Sequence, residues 1–337
     1  MCNSKDGMSG QKSKGGNGSV PRVSADRDSG RFRLLGYGAC ALASTLWGTG
    51  FYWGRLALNE MSVGHMVLYR FLFASLGMLP VVLLNRVRLT RSEWRTLLLT
   101  AAFGIPIQFL LQFHGLAMTT VSHASLMVGA MPVLLAASAT LFANERLDGM
   151  GWVALCASTV GAGLVVLGGS RATTGNETPT LAGDMLVIAS LMVALVWILL
   201  SKKLLQSHSA PVVSGYTILA GTLMLVLWDY APVLLGRHVP PPPFAGVSVK
   251  AWVALAASGL LCTGTTTLLW NWGIHHVPAS RAGVFLNIEP ALGSILGVEL
   301  LGEQLGPFAL LGGALIIGAA AVLTTRGTEA GPEVILE

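Results

Sequence analysis

The sequence predicts an all-α integral membrane protein, with ten transmembrane helices arranged as two inverted five-helix repeats. Three observations carry that expectation. Of the 337 residues, 53% are hydrophobic and only 11% are charged, with a mean hydropathy of +0.66; a soluble chain of this size needs far more charge on its surface. Ten windows are apolar over the roughly 20 residues that a spanning helix requires. The stretch 94–168 also aligns without a gap on 252–326 at a shift of 158 residues.

Residues 1–33 are rich in Gly, Ser and Lys and read as a disordered cytoplasmic tail. So long a polar run ahead of the first apolar segment is not the pattern of a signal peptide. The first repeat, 34–169, holds the windows 34–54, 64–84, 95–113, 121–143 and 150–168. The second, 182–326, holds 182–201, 212–235, 251–273, 280–301 and 306–325, and 327–337 form a second cytoplasmic tail. The gaps carry charge and turn formers: "LNRVRLTRSEWR" follows the second window and "GGSRATTGNETPT" the fifth. "GRHVPPPPFAGVSVK" follows the seventh, and its four prolines favour extended polyproline backbone.

Lysine and arginine set the orientation. With the N-terminus inside, 16 of them fall on the inner side and only Arg55, Arg171, Arg237 and Lys250 on the outer side; Arg70 lies within a window. The net charge of +5 is therefore an orientation signal rather than a nucleic-acid footprint. Cys2, Cys40, Cys156 and Cys262 lack metal or redox spacing and read as small apolar residues.

At the shift of 158, Trp94 falls on Trp252, Gly115 on Gly273, Ser122 on Ser280, Pro132 on Pro290 and Glu145 on Glu303. Upstream, a shift of 150 brings Trp47 onto Trp197. Five spans per repeat is an odd number, so the second repeat enters the membrane from the opposite side.

The segments "LWG" (46–48), "YRF" (69–71), "NERL" (144–147) and above all "ASRAGVFLNIEPALGSILGVELLGE" (279–303) resemble the EamA-type members of the drug/metabolite transporter superfamily. The resemblance covers about 34–326. It implies ten helices, two EamA repeats and movement of a small metabolite, and it does not name the substrate.

Candidate site residues follow from polar groups placed where burial is costly. Glu289 lies in an apolar run; it binds substrate, couples protons, or hydrogen-bonds neighbouring helices. Its first-repeat counterpart is Met131, so the charge is unmirrored, whereas Pro132 and Pro290 are mirrored and would kink both helices as gating elements. Arg70 snorkels, pairs with a carboxylate, or binds an anionic group of the substrate. Gly104, Gln108 and Gln112 form one stripe that bridges helices or lines a wet cavity. Asn287, two residues from Glu289, points to a different side of its helix and is also expected to contact the substrate.

Trp47 and Phe51 share a helix face and Trp197 mirrors Trp47; they line a pocket or belong to an interfacial belt. Trp270 and Trp272, close to the inner end, read as belt residues. Glu145 and Glu303 read as helix caps, and His123 reads as a surface residue at a helix start. His275 and His276 point apart and offer no metal site.

No GxxxxGK[ST], HExxH or GxSxG occurs, so neither an ATP engine nor a hydrolase is encoded, and no cofactor is called for. The expectation is a secondary transporter, not an enzyme, in the inner or plasma membrane with both termini cytoplasmic. It would move an amino acid or related compound, or a drug-like solute, by alternating access in the export direction. A non-transporting receptor or assembly protein of the same fold is the alternative. The expected partners are the small-molecule substrate and the bilayer, with room for protons as coupling ion and for a homodimer, and no nucleic acid.

Overall fold

In the computed structural model, residues 22–131, 133–134, 149–168, 170–172, 179–234, 246–277 and 283–326 are described. Residues 1–21, Pro132, Glu145, the prolines 240–243 and the tail 327–337 lie outside the described residues. The first half comprises α1 (Arg22–Gly48), α2 (Gly50–Leu58), α3 (Val63–Leu84), α4 (Arg91–Ala102), α5 (Gln108–Ala117), α6 (Val121–Val128) and α7 (Gly149–Gly168). The second comprises α8 (Leu181–Leu205), α9 (Ala210–Leu234), α10 (Val249–Gly259), α11 (Thr266–His276), α12 (Ile288–Leu301) and α13 (Pro307–Arg326).

The starts of these helices are written in Ser and Thr. Ser62, Thr90, Thr120, Thr180 and Ser248 each stand in extended backbone and accept a hydrogen bond from the N–H three residues on, which satisfies a donor the helix leaves free. Thr90 and Glu93 form a full capping box. Ser248 also donates its hydroxyl and its N–H to Glu60, each at 2.6 Å, tying the α2–α3 turn to α10. Those two bonds, hydroxyl first, hold the Glu60 carboxyl below its ordinary range.

Two helices change pitch at equivalent places. A π-helical turn at Phe103–Ile107 joins α4 to α5, and another at Leu260–Thr265 joins α10 to α11. The repeat shift of 158 carries 103–107 onto 261–265. The causes differ. In the first, Pro106 lacks the donor a regular turn needs. In the second, the hydroxyls of Thr263 and Thr265 bond back to the carbonyls of Ser258 and Leu260, five residues earlier.

Equivalent helices of the two halves pack against each other antiparallel. α3 meets α9 through Ser75 and Thr222, 2.7 Å apart, with His65 and Asp229 at one end and Val82 against Gly215 at the other. α6 meets α12, Ser122 donating to the carbonyl of Ser294 at 3.2 Å while Gly129 lies beside Pro290. α7 meets α13 where Gly161 faces Gly312; a Cβ on Gly161 would stand 2.7 Å from the Gly312 carbonyl. Backbones approach this closely only over glycine. The remaining large interfaces, α1 with α11 and α5 with α8, also exchange under the repeat.

Two features differ from the sequence reading. α1 begins at Arg22, so residues 22–33 continue the first helix instead of belonging to the tail; extending an existing helix needs no new nucleus. Ser170–Ala172 pairs antiparallel with Glu303–Leu305 as a two-stranded ribbon, β1 and β2, across the ends of α7 and α13. Five described helical stretches are long and apolar enough to cross a bilayer: Val63–Leu84, Arg91–Ala117, Leu181–Leu205, Ala210–Ala231 and Val249–His276. Gly149–Val165 and Pro307–Ala319 are shorter apolar helices.

Candidate functional site

A cavity of about 130 Å³ lies between the halves, walled by α1–α3, both π-turn helices, α6, α8, α9 and α12. An engineered protein cavity of about 150 Å³ takes up benzene, so the space suits a small organic molecule. Gln108, Gln112, Glu289, Trp47, Trp197 and Arg70 all line it. Asn287, expected to contact the substrate, does not; it precedes α12, and two residues from Glu289 it stands on another side.

Arg70 is buried on α3 and does not snorkel. Its Nε donates to Thr263 Oγ1 at 2.8 Å and its Nη2 to the carbonyl of Cys262 at 3.5 Å, both on the second π-turn. The π-turn thus turns polar groups inward that a regular helix would keep to itself. The guanidinium lies 4.9 Å from the Phe109 ring centre and 5.1 Å from that of Phe113, so aromatic faces supply part of the solvation it has lost. With five donors and few protein acceptors, it retains N–H groups for a ligand anion. Neither a hydrogen bond nor an ion pair joins it to Glu289 among the described residues.

Glu289 sits in the first turn of α12, directly after the 3-10 turn Gly283–Asn287. The helix N-terminus favours negative charge there, which is one reason an acid is tolerated in so apolar a run. Pro290 shares that first turn, where a missing N–H breaks no internal hydrogen bond. The kink expected at Pro290 is thus replaced by a change from 3-10 to α geometry just before it. Met131, the counterpart of Glu289, lines the same cavity.

The glutamine stripe faces the cavity along its whole length, Gly104 included. A Cβ on Gly104 would meet the Trp197 ring, 2.6 Å from its Cγ, so glycine leaves the space that the indole fills. Trp47 packs on Trp270 with ring centres 5.4 Å apart. Trp270 is a buried cavity residue and not a belt residue, because the π-turn rotates its part of the helix inward. Gln108 Oε1 and Thr217 Oγ1 are buried on this wall without a hydrogen-bond partner among the described residues. Buried polar atoms in proteins are normally satisfied, so these two are placed to meet a bound molecule or water.

Sequence reasoning passed over a second group. His123 is fully buried, not a surface residue. Its Nδ1 lies 3.3 Å from Asp184 Oδ1, which also accepts from Thr119 Oγ1 at 3.0 Å. Arg55 is buried too, donating to the carbonyls of Thr119 and, at 2.6 Å, Leu116. Glu303 caps α6 rather than the helix after it, accepting from the N–H groups of Val121 at 2.8 Å and Ser122 at 2.7 Å. The available signal was ionisable residues inside or beside apolar windows. Among the described residues no three His, Cys, Asp or Glu side chains gather as a metal site.

The sequence profile of the EamA-like transporter family matches residues 34–167 and 181–325. The permease-like protein YdzE of Bacillus subtilis (strain 168) is 38% identical over 72 residues, 21% of this chain and 92% of YdzE. An "Uncharacterized transporter" of Archaeoglobus fulgidus is 30% identical over 98 residues, 28% of this chain and 34% of its own. A "Probable terminal-alkyne amino-acid exporter" of Streptantibioticus cattleyicolor is 33% identical over 76 residues, 23% of this chain and 26% of its own. One crystal structure of a protein at 19% identity shares the fold, with a TM-score of 0.58 over 88% of this chain and 99% of that one. With both halves matched, the chain belongs to the EamA-like transporter family.

Proposed function

We propose that the protein is a secondary transporter exporting a small organic metabolite of the amino-acid class by alternating access. Ten spans as two inverted repeats, with both termini cytoplasmic in the inner or plasma membrane, are part of the proposal. The antiparallel packing of equivalent helices supports the inverted arrangement, and the lysine and arginine count supports the orientation.

The observation that carries the reading is one cavity, shared by both halves, whose wall combines a buried guanidinium, a carboxyl, unpartnered amide and hydroxyl oxygens and several aromatic rings. A zwitterion matches this wall: its carboxylate to Arg70, its ammonium to Glu289 and Gln108, its apolar side chain among the rings. Protons are the coupling ion in this proposal, exchanged at Glu289. The amino-acid class also fits the name of the Streptantibioticus relative.

The test is flux. Folded protein in liposomes, challenged with a panel of amino acids and related metabolites, moves at least one of them above protein-free liposomes. No flux across a broad panel with folded protein contradicts the proposal and favours a receptor or assembly role.

A further inference from the structure

Arg55, Thr119, Asp184 and His123 form a single connected layer on one side of the cavity. Each of the four elements that supply it also lines the cavity one or two turns away. On α2, Phe51 lines the cavity four residues before Arg55. On α5, Phe113 does so three residues before Leu116, whose carbonyl Arg55 holds. On α6, Val128 follows His123 by five residues, and on α8, Leu191 follows Asp184 by seven. At 1.5 Å per residue the layer stands about 5–10 Å beyond the cavity wall, toward one end of the bundle. Its charged members are buried.

The helix that runs along the cavity wall to this layer begins at a break. α1 ends at Gly48 and α2 begins at Gly50. Between them, Thr49 turns both its N–H and its hydroxyl onto the Leu46 carbonyl, at 3.2 and 2.8 Å. A hydroxyl bonded back into the preceding turn loosens a helix, and flanking glycines lower the barrier to bending. Beyond the break, Gly54 lets α2 lie flat on Phe113, where a Cβ would overlap the ring. Nine residues of helix thus hang on a Gly-Thr-Gly joint, lie beside α10, and are fastened at the far end by Arg55 and by the Glu60–Ser248 tie to α10.

We infer that α2 is a gate hinged at Gly48–Gly50, with Arg55 as its latch on the end of α5 and with Thr119, Asp184 and His123 extending the latch to α8 and α6. Latched, as here, α2 closes the cavity toward the Arg55 end. Releasing Arg55 from the two carbonyls lets α2 swing about Thr49 and opens that end. Arg55 is a positioning residue; it does not touch the cavity. The inference rests on the transporter reading and assigns the Arg55 end to the outside.

Cys262 provides a native reporter. It lines the cavity, with its Sγ 3.2 Å from Thr49 Oγ1 at the hinge. A protein carrying Cys2→Ser, Cys40→Ser and Cys156→Ser retains Cys262 alone. In vesicles of known orientation, a membrane-impermeant methanethiosulfonate is applied from each side separately, without substrate. Adding Arg55→Ala raises the rate of Cys262 modification from the outside at least tenfold and leaves the inside rate equal or lower. Asp184→Asn gives the same sign, about threefold.

Unchanged rates, or equal gains from both sides, overturn the gate, since loosened packing alone admits reagent from either side. Failure of both variants to fold also overturns it, because a latch that cannot be undone is scaffold. A tenfold gain from the inside instead supports the gate and refutes the proposed orientation. Labelling needs no substrate, so a negative flux panel leaves this result standing.

Discussion

The two halves open on helices that do the same job differently. α1–α2 and α8 each set a tryptophan, Trp47 and Trp197, on the cavity wall. α8 runs unbroken for 25 residues, while its equivalent stops at Thr49. The residues explain the contrast. After Trp197 come Ile198, Leu199 and Leu200, which hold a regular helix; after Trp47 come Gly48, Thr49 and Gly50. The mirrored tryptophans mark what the cavity needs from both halves. The unmirrored glycines mark where the halves cease to be equivalent, and the proposed gate lies there, in the first half.

The same contrast orders the mutations, because the groups without a mirror image should carry the largest effects. Arg70→Ala removes the cavity's buried cation together with its tie to the second π-turn. Its initial flux falls about 100-fold, equivalent to about 2.7 kcal/mol at 1.36 kcal/mol per tenfold. Arg70→Lys keeps the charge but loses the fork and recovers only part. Next comes Glu289→Gln, which lowers flux about tenfold and flattens its pH profile; unchanged flux with an unchanged profile removes Glu289 from the mechanism.

A direct comparison of the two opening helices gives a smaller effect. A Cβ on Gly48 would stand 3.0 Å from Leu292 Cβ and 3.1 Å from the Glu289 carbonyl. Gly48→Val pushes α1 off α12 and stiffens the hinge, and flux falls about fivefold. Leu199→Gly on the exposed face of α8, outside the cavity wall, costs up to about 1 kcal/mol of helix stability and leaves flux within about twofold. Equal losses from both erase the contrast.

The smallest effect belongs to Glu60. Its lowered carboxyl means that the Glu60–Ser248 tie is intact above the ordinary carboxylate range and is lost as pH falls through the lowered value. Glu60→Gln therefore lowers stability slightly at neutral pH, and the difference from the parent closes as pH falls. A thermal melt series from pH 7 to pH 3 shows less acid sensitivity in the variant than in the parent.

Much of the cavity was legible in the sequence because a polar residue in a spanning run rarely faces lipid. Gln108, Gln112, Arg70 and Glu289 were found that way. Periodicity gives depth and helix face, but not how a local change of pitch rotates that face. That is why Trp270 read as belt and lies in the cavity. Pro290 read as a kink because the 3-10 turn ahead of α12, which makes it a first-turn residue, leaves no mark in the apolar pattern. His123 and Asp184 sit 61 residues apart and become a pair only when α6 docks beside α8. From sequence Arg55 reads as an orientation charge, because nothing local marks carbonyls at the end of α5 as its partners.

Passage of the solute through the cavity beside Arg70 is tested most directly at Cys262. In the Cys262-only protein, a transported solute is titrated while the rate of Cys262 alkylation is followed. The solute slows alkylation, with half-protection at the concentration that half-saturates flux. Saturable flux with no change in the alkylation rate at any solute concentration would contradict passage through the cavity.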